Sequence, residues 1–220
     1  MATNREHGPD VPAQLAALAA ATDAEAIDAY RTAMRVAYWD NKDVARALAI
    51  ADAGVSRFLA AADDADEAFA FELRSAAKGL LYDVASFTWV GWDEAEITIT
   101  EAGAAVGLDA AHSNLAMAIN LDKGDLAMAR AHWMLGAHLL TSGAHDDAGR
   151  AFEASQMSAV AAGADVEAEL AVAFGALTAI AAGDEGREPP LAMSLERLGA
   201  MEDGEAFVAQ VTTARSVLGC

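Results

Sequence analysis

Residues 129–162 read ARAHWMLGAHLLTSGAHDDAGRAFEASQMSAVAA, and this stretch decides the fold class. Gly143 falls where a first helix must end and the chain must turn. The flanking segments predict helices near Leu126–Ser142 and His145–Ala162. Two helices joined by so short a turn are antiparallel neighbours. Each pair leaves an apolar face that only another pair can cover.

The same alternation of helix and turn runs outward in both directions. A short helix is expected from about Pro12 to Ala21. Thr22-Asp23-Ala24-Glu25 then forms a capping box, in which the Thr hydroxyl accepts from the chain three residues on and Glu25 reaches back. It opens a helix to about Tyr38 with Ile27, Tyr30, Met34 and Ala37 on one face. A turn at Asp40-Asn41-Lys42-Asp43 leads to a helix ending near Ala61, with Leu48, Ala51, Val55 and Phe58 at helical spacing. Further helices are expected over about Glu67–Phe87, Trp92–Val106 and Asp109–Asn120, with Gly107 read as a break. After the central pair come Asp165 to about Ala182, Leu191–Gly199 behind Pro189-Pro190, and Asp203–Leu218 with Phe207, Val211, Ala214 and Leu218 in a stripe. Phe174-Gly175 echoes Leu135-Gly136, and Gly183 echoes Gly143, at a period of about forty residues. Residues 1–9 read as a disordered lead and 10–220 as one helical-repeat domain.

Composition agrees with this organisation. Hydrophobic residues make up 55% of the 220, much of it alanine, the best helix former and one that lets helices approach closely. The net charge of −20 weighs against nucleic acid, whose phosphates demand Lys and Arg, and against anionic membrane surfaces. It suits a basic partner. The single cysteine, Cys220, permits no internal disulfide. The first residues lack a basic region followed by an apolar core, and no stretch is long and apolar enough to span a membrane, so a cytoplasmic location is expected.

The central stretch resembles a tetratricopeptide repeat. Leu135-Gly136 stands where that pattern has Leu-Gly, Leu139 occupies the aromatic slot that follows, and Ala148 and Phe152 supply the small and aromatic positions of the second helix. His132 stands where the family has Trp, with Trp133 one place later, and Val160 replaces the usual Pro. The resemblance implies an all-α fold, a right-handed array of antiparallel helix hairpins forming a tetratricopeptide-like α-solenoid. It also implies a scaffold that binds polypeptides on the surface lined by the first helix of each pair. Carried onto the central pair, that surface is Arg130, Trp133, Ala137, Leu140 and Thr141. These residues recur at three- and four-residue steps and share a helix face. Trp133 beside Arg130 suits an apolar side chain next to a carboxylate; the alternative places Trp133 in the core as a displaced packing aromatic.

Other clusters carry a functional and a structural reading side by side. Trp89 and Trp92, with Phe87 and Tyr82, and Trp39 beside Tyr38, mark two turns between helices. They read either as an aromatic rim for a ligand or second subunit, which allows a homo-oligomer, or as apolar contacts closing each hairpin. His132 and His138 are six apart and point to different sides of a helix, and Asp109 with His112 is a weak one-turn pair, so no metal site is expected. Glu72, Arg74 and Lys78 read as a solvated stripe rather than a catalytic set, and Met117, Met128, Met134 and Met157 as core filler. No glycine-rich phosphate loop follows a strand, and no catalytic residue or cofactor is assigned. The expectation is a non-catalytic adaptor for a peptide or protein. The alternative is a small-molecule-binding protein or enzyme with a pocket between hairpins.

Overall fold

The computed structural model describes residues 10–220, so the disordered lead expected at 1–9 lies outside the described residues. Among those residues all regular structure is helical, with no strand, and no helix is long and apolar enough to cross a membrane. The helices are α1 (Val11–Ala19), α2 (Asp23–Arg35), α3 (Val44–Asp64), α4 (Glu67–Thr88), α5 (Glu101–Asn120), α6 (Asp125–Thr141), α7 (His145–Ala162), α8 (Asp165–Ala181), α9 (Glu188–Gly199) and α10 (Gly204–Leu218). Sequential neighbours pack against one another from α1 to α3 and from α5 to α10. By its contacts the chain divides after Leu80, inside α4, into two compact units.

In the first unit the capping box at Thr22 forms as the sequence predicts. Glu25 Oε2 accepts from the Thr22 amide at 3.1 Å and from its hydroxyl at 2.7 Å. Tyr30 and Met34 of α2 are buried with Ile50, Ala51 and Phe58 of α3, and Tyr30 meets Phe58 edge-on at 5.6 Å. Arg57 of α3 donates to the Leu18 and Ala21 carbonyls at 2.7 and 2.6 Å and pairs with Asp23 at 2.8 Å. It thereby satisfies carbonyls left over at the end of α1 and fixes the turn into α2. The chain after α2 widens into a π-helical turn, Val36–Asp40, before the break at Asn41.

In the second unit α7 packs between α6 and α8, and alanine makes the close approach. Ala129 of α6, Ala159 of α7 and Ala168 of α8 form one buried cluster. Ala148 is fully buried, and Gly136 lies so close to Phe152 that a Cβ would stand 2.9 Å from its ring. Ser155 of α7 donates to the Ala129 carbonyl at 2.8 Å, a further tie between the two helices. Gly143 and Gly183 end α6 and α8 with φ of 82° and 97°, a left-handed conformation that glycine adopts without strain.

Two expectations are corrected here. The helix expected over 92–106 does not begin until Glu101, which follows a Thr100 cap whose hydroxyl accepts from the Gly103 amide at 3.1 Å. Ile97-Thr98-Ile99-Thr100 are consecutive β-branched residues, which lose side-chain freedom in a helix, and Asp93 and Glu96 before them turn the chain with φ of 51° and 65°. Gly107 does not break α5 but lies inside it. A Cβ there would collide with the Thr88 hydroxyl and stand 2.5 Å from Cε1 of His138. Its small size lets α5 sit against the end of α4 and the middle of α6.

Candidate binding recess

The second unit holds a recess of about 250 Å3 walled by α4, α6, α7, α8, α10 and the 3-10 turn Val90–Trp92. α6 supplies Ala129, Arg130 and Trp133, spaced so that Arg130 and Trp133 lie one turn apart on the same face. α8 supplies Glu167 and Leu170, again one turn apart. Tyr82 comes from α4, Trp92 from the 3-10 turn, and Phe207 and Gln210 from α10. α10 reaches this position because it packs on α8, on α9 and on the Val90–Trp92 turn.

Behind the recess lies an aromatic cluster. Trp133 meets Phe174 edge-on at 5.1 Å, Trp89 at 5.5 Å, Trp92 at 6.0 Å and Phe152 at 6.4 Å. Trp89 is 1% exposed and donates its indole N–H to the Ala137 carbonyl at 2.9 Å. Trp92 donates to the Ser86 carbonyl at 2.7 Å. Trp133 is 7% exposed, and its Nε1 is buried without an oxygen or nitrogen acceptor. An indole N–H in that position is uncommon in a native core.

Beside the indoles, the polar groups of the recess belong to Tyr82, Arg130, Ser155, Glu167 and Gln210. Arg130 pairs with Glu167 at 2.7 Å, an ion pair that neutralises itself at the recess wall. Burial pushes the Tyr82 hydroxyl above the usual phenol range, with the Arg130 charge pulling the other way, so the phenol stays protonated at neutral pH. Ser155 is engaged with the Ala129 carbonyl. The lining is therefore aromatic and apolar with a charge-balanced edge, the composition of a site that holds an apolar group in a set orientation.

The residues singled out from the sequence fall in different places. Arg130 and Trp133 both line the recess. Ala137 and Leu140 are buried at 0% and 1% exposure, and Thr141 returns its hydroxyl to the Ala137 carbonyl at 3.2 Å; none of the three lines it. Of the aromatic rim, Trp92 joins the recess wall and Trp89 is core. Trp39, in the first unit, is 42% exposed, stacked edge-on against Tyr38 with the Lys42 ammonium 5.5 Å from its ring centre. Met134 is buried, whereas Met157 is 68% exposed and fills no core. Glu72 is exposed.

His138 is buried at 3% exposure, its Nε2 2.8 Å from the Ala85 carbonyl. Desolvation holds its pKa below the ordinary histidine value, only partly offset by that hydrogen bond. His112 and His132 border a second, open hollow with Asp147 and Arg150. Among the described residues no three His, Cys, Asp or Glu side chains gather closely enough to hold a metal ion.

Glu167, Leu170, Phe207 and Gln210 were not singled out for binding from the sequence. Phe207 carried a helical-stripe signal for burial, and Gln210 carried none. No protein-family model, no curated protein and no solved structure matches this chain.

Proposed function

We propose that the chain is a non-catalytic binding module, a right-handed tetratricopeptide-like array whose recess takes one apolar, ring-bearing side chain of a partner polypeptide. The observation that carries this reading is the lining: Tyr82, Trp92, Trp133 and Phe207, from four separate elements, around a space of about 250 Å3. A cavity of about 150 Å3 is enough for benzene, so this one has room for a larger ring with its adjoining methylene. In the repeat reading α6 and α8 are the first helices of their pairs, and both contribute to the recess, which fits the binding face of such an array. The polar groups support binding rather than chemistry. Ser155 is tied to a carbonyl and Arg130 to a carboxylate, so neither is poised as a nucleophile or base. The net charge of −20 favours basic residues flanking the bound side chain.

A second reading, a free small molecule as ligand, is favoured by the further wall that Phe207 and Gln210 of α10 add to the recess. Selection from a displayed random-peptide library tests both readings, with Gln210→Trp as a recess-filled control. Peptides that share a ring-bearing residue and lose binding to Gln210→Trp support the adaptor. Peptides that bind the parent and the filled variant alike refute it. If no peptide is selected while aromatic fragments bind the parent and not the filled variant, the small-molecule reading replaces it.

A further inference from the structure

Resting on the reading of the recess as a binding site, we infer that its ligand is an aromatic group joined to an uncharged amide, such as an aromatic residue within a polypeptide, and not an aromatic acid, an aromatic amine or a bare hydrocarbon. The charges come first. Arg130 and Glu167 neutralise each other at 2.7 Å, so the recess presents no net charge for an ionic ligand to match. An anion would also enter against a chain of net charge −20. A cation would have to share Glu167 with the guanidinium already on it. The hydrogen-bonding groups come second. The Trp133 indole lines the recess, and its N–H is buried with no oxygen or nitrogen acceptor. Such a donor lacks the one thing an amide carbonyl supplies. Gln210 of α10 brings both an N–H and a carbonyl to the same recess, the complement of an amide. A hydrocarbon would fill the aromatic walls but leave the indole donor unmet.

Trp133 Nε1 is covered, so the edge of the indole has to move to meet the ligand carbonyl. Side-chain shifts of this kind are common on binding. The test follows the indole N–H resonances of the 15N-labelled protein, which separate the four tryptophans from the backbone. The Trp133 signal is assigned by its loss in Trp133→Phe or, should that variant not fold, by its proximity to Phe152, whose ring it meets at 6.4 Å. The probes are N-acetylphenylalaninamide, hydrocinnamate, phenethylammonium and toluene. The expected result is that the amide binds roughly three- to tenfold more tightly than toluene and than either ion, as one added hydrogen bond allows. The Trp133 N–H should move downfield with the amide and stay in place with toluene. Equal binding of amide and toluene with the Trp133 N–H unmoved would overturn the amide inference and leave the recess reading standing. Tighter binding of either ion would overturn it too. If no probe perturbs a recess resonance, the recess reading itself fails and the inference goes with it.

Discussion

Replacing Trp133 with alanine tests whether the indole belongs to the core as well as to the recess. The side chain is 7% exposed and touches four other aromatic rings, at centroid distances between 5.1 and 6.4 Å. Truncating a buried Trp to Ala costs about 3–5 kcal/mol through lost transfer energy and the cavity left behind. Two features pull the value to the low end. One side of the indole already faces the recess, so fewer packed neighbours are lost there. Its N–H also has no acceptor, so the variant removes a donor whose burial costs about 1–3 kcal/mol. A loss of about 3 kcal/mol follows, and for a unit of this size that lowers Tm by about 9–15 °C. Calorimetry resolves the unit concerned even if the chain melts in more than one step, and near-ultraviolet circular dichroism follows the aromatic cluster directly. A shift of less than about 2 °C would mean that the indole packs loosely, and the cluster described behind the recess would be wrong.

Gly107→Ala should lose about 1–3 kcal/mol despite the higher helix propensity of alanine, because the added methyl meets Thr88 and His138. Gly103→Ala, four residues earlier with nothing closer than 3.4 Å, should be neutral or gain up to about 1 kcal/mol, and chemical denaturation of both separates crowding from propensity. Stability should also fall with acid, because the folded pKa of His138 is lowered, so the unfolded chain binds its proton first. Its contribution is complete above the unfolded value of about 6.5 and is lost as pH drops from there through the folded value. His132, lowered by burial as well, acts in the same direction, so His138→Gln should weaken this dependence in urea titrations between pH 7 and 5 without abolishing it.

The helices were legible because their signals are local. The capping box at Thr22 and the turns at Gly143 and Gly183 act within one or two turns of chain, and all three operate where the sequence places them. Ala148 and Phe152, read from the repeat resemblance, are buried at 0% and 1% exposure. Gly107 misled because glycine has two uses. Its backbone freedom marks turns, but its lack of a side chain also admits a neighbouring helix, and only tertiary packing shows which applies. The start of α5 misled because the β-branched run at 97–100 delays the helix to Glu101. Arg130 and Trp133, which line the recess, were picked out through the repeat resemblance, which places them on the first helix of the central pair. Glu167, Phe207 and Gln210 were not, since their place depends on where α8 and α10 pack.

Trp133 is also where local rules give way. For packing alone, phenylalanine would make the same kind of edge contacts with Phe174 and Phe152 without burying an N–H that meets no acceptor. Trp89 and Trp92 show the ordinary solution, since each indole in the same cluster donates to a backbone carbonyl within 2.9 Å. The same surroundings therefore satisfy two indoles and leave the third unmet, and the third is the one beside Arg130 on the recess wall. A sequence that agrees with its fold at every other level tends to break such a rule where function demands it. Trp133 stabilises the second unit through its rings and leaves one donor unspent, which is why the stability of Trp133→Phe and the ligand preference of the parent protein need to be measured as separate quantities.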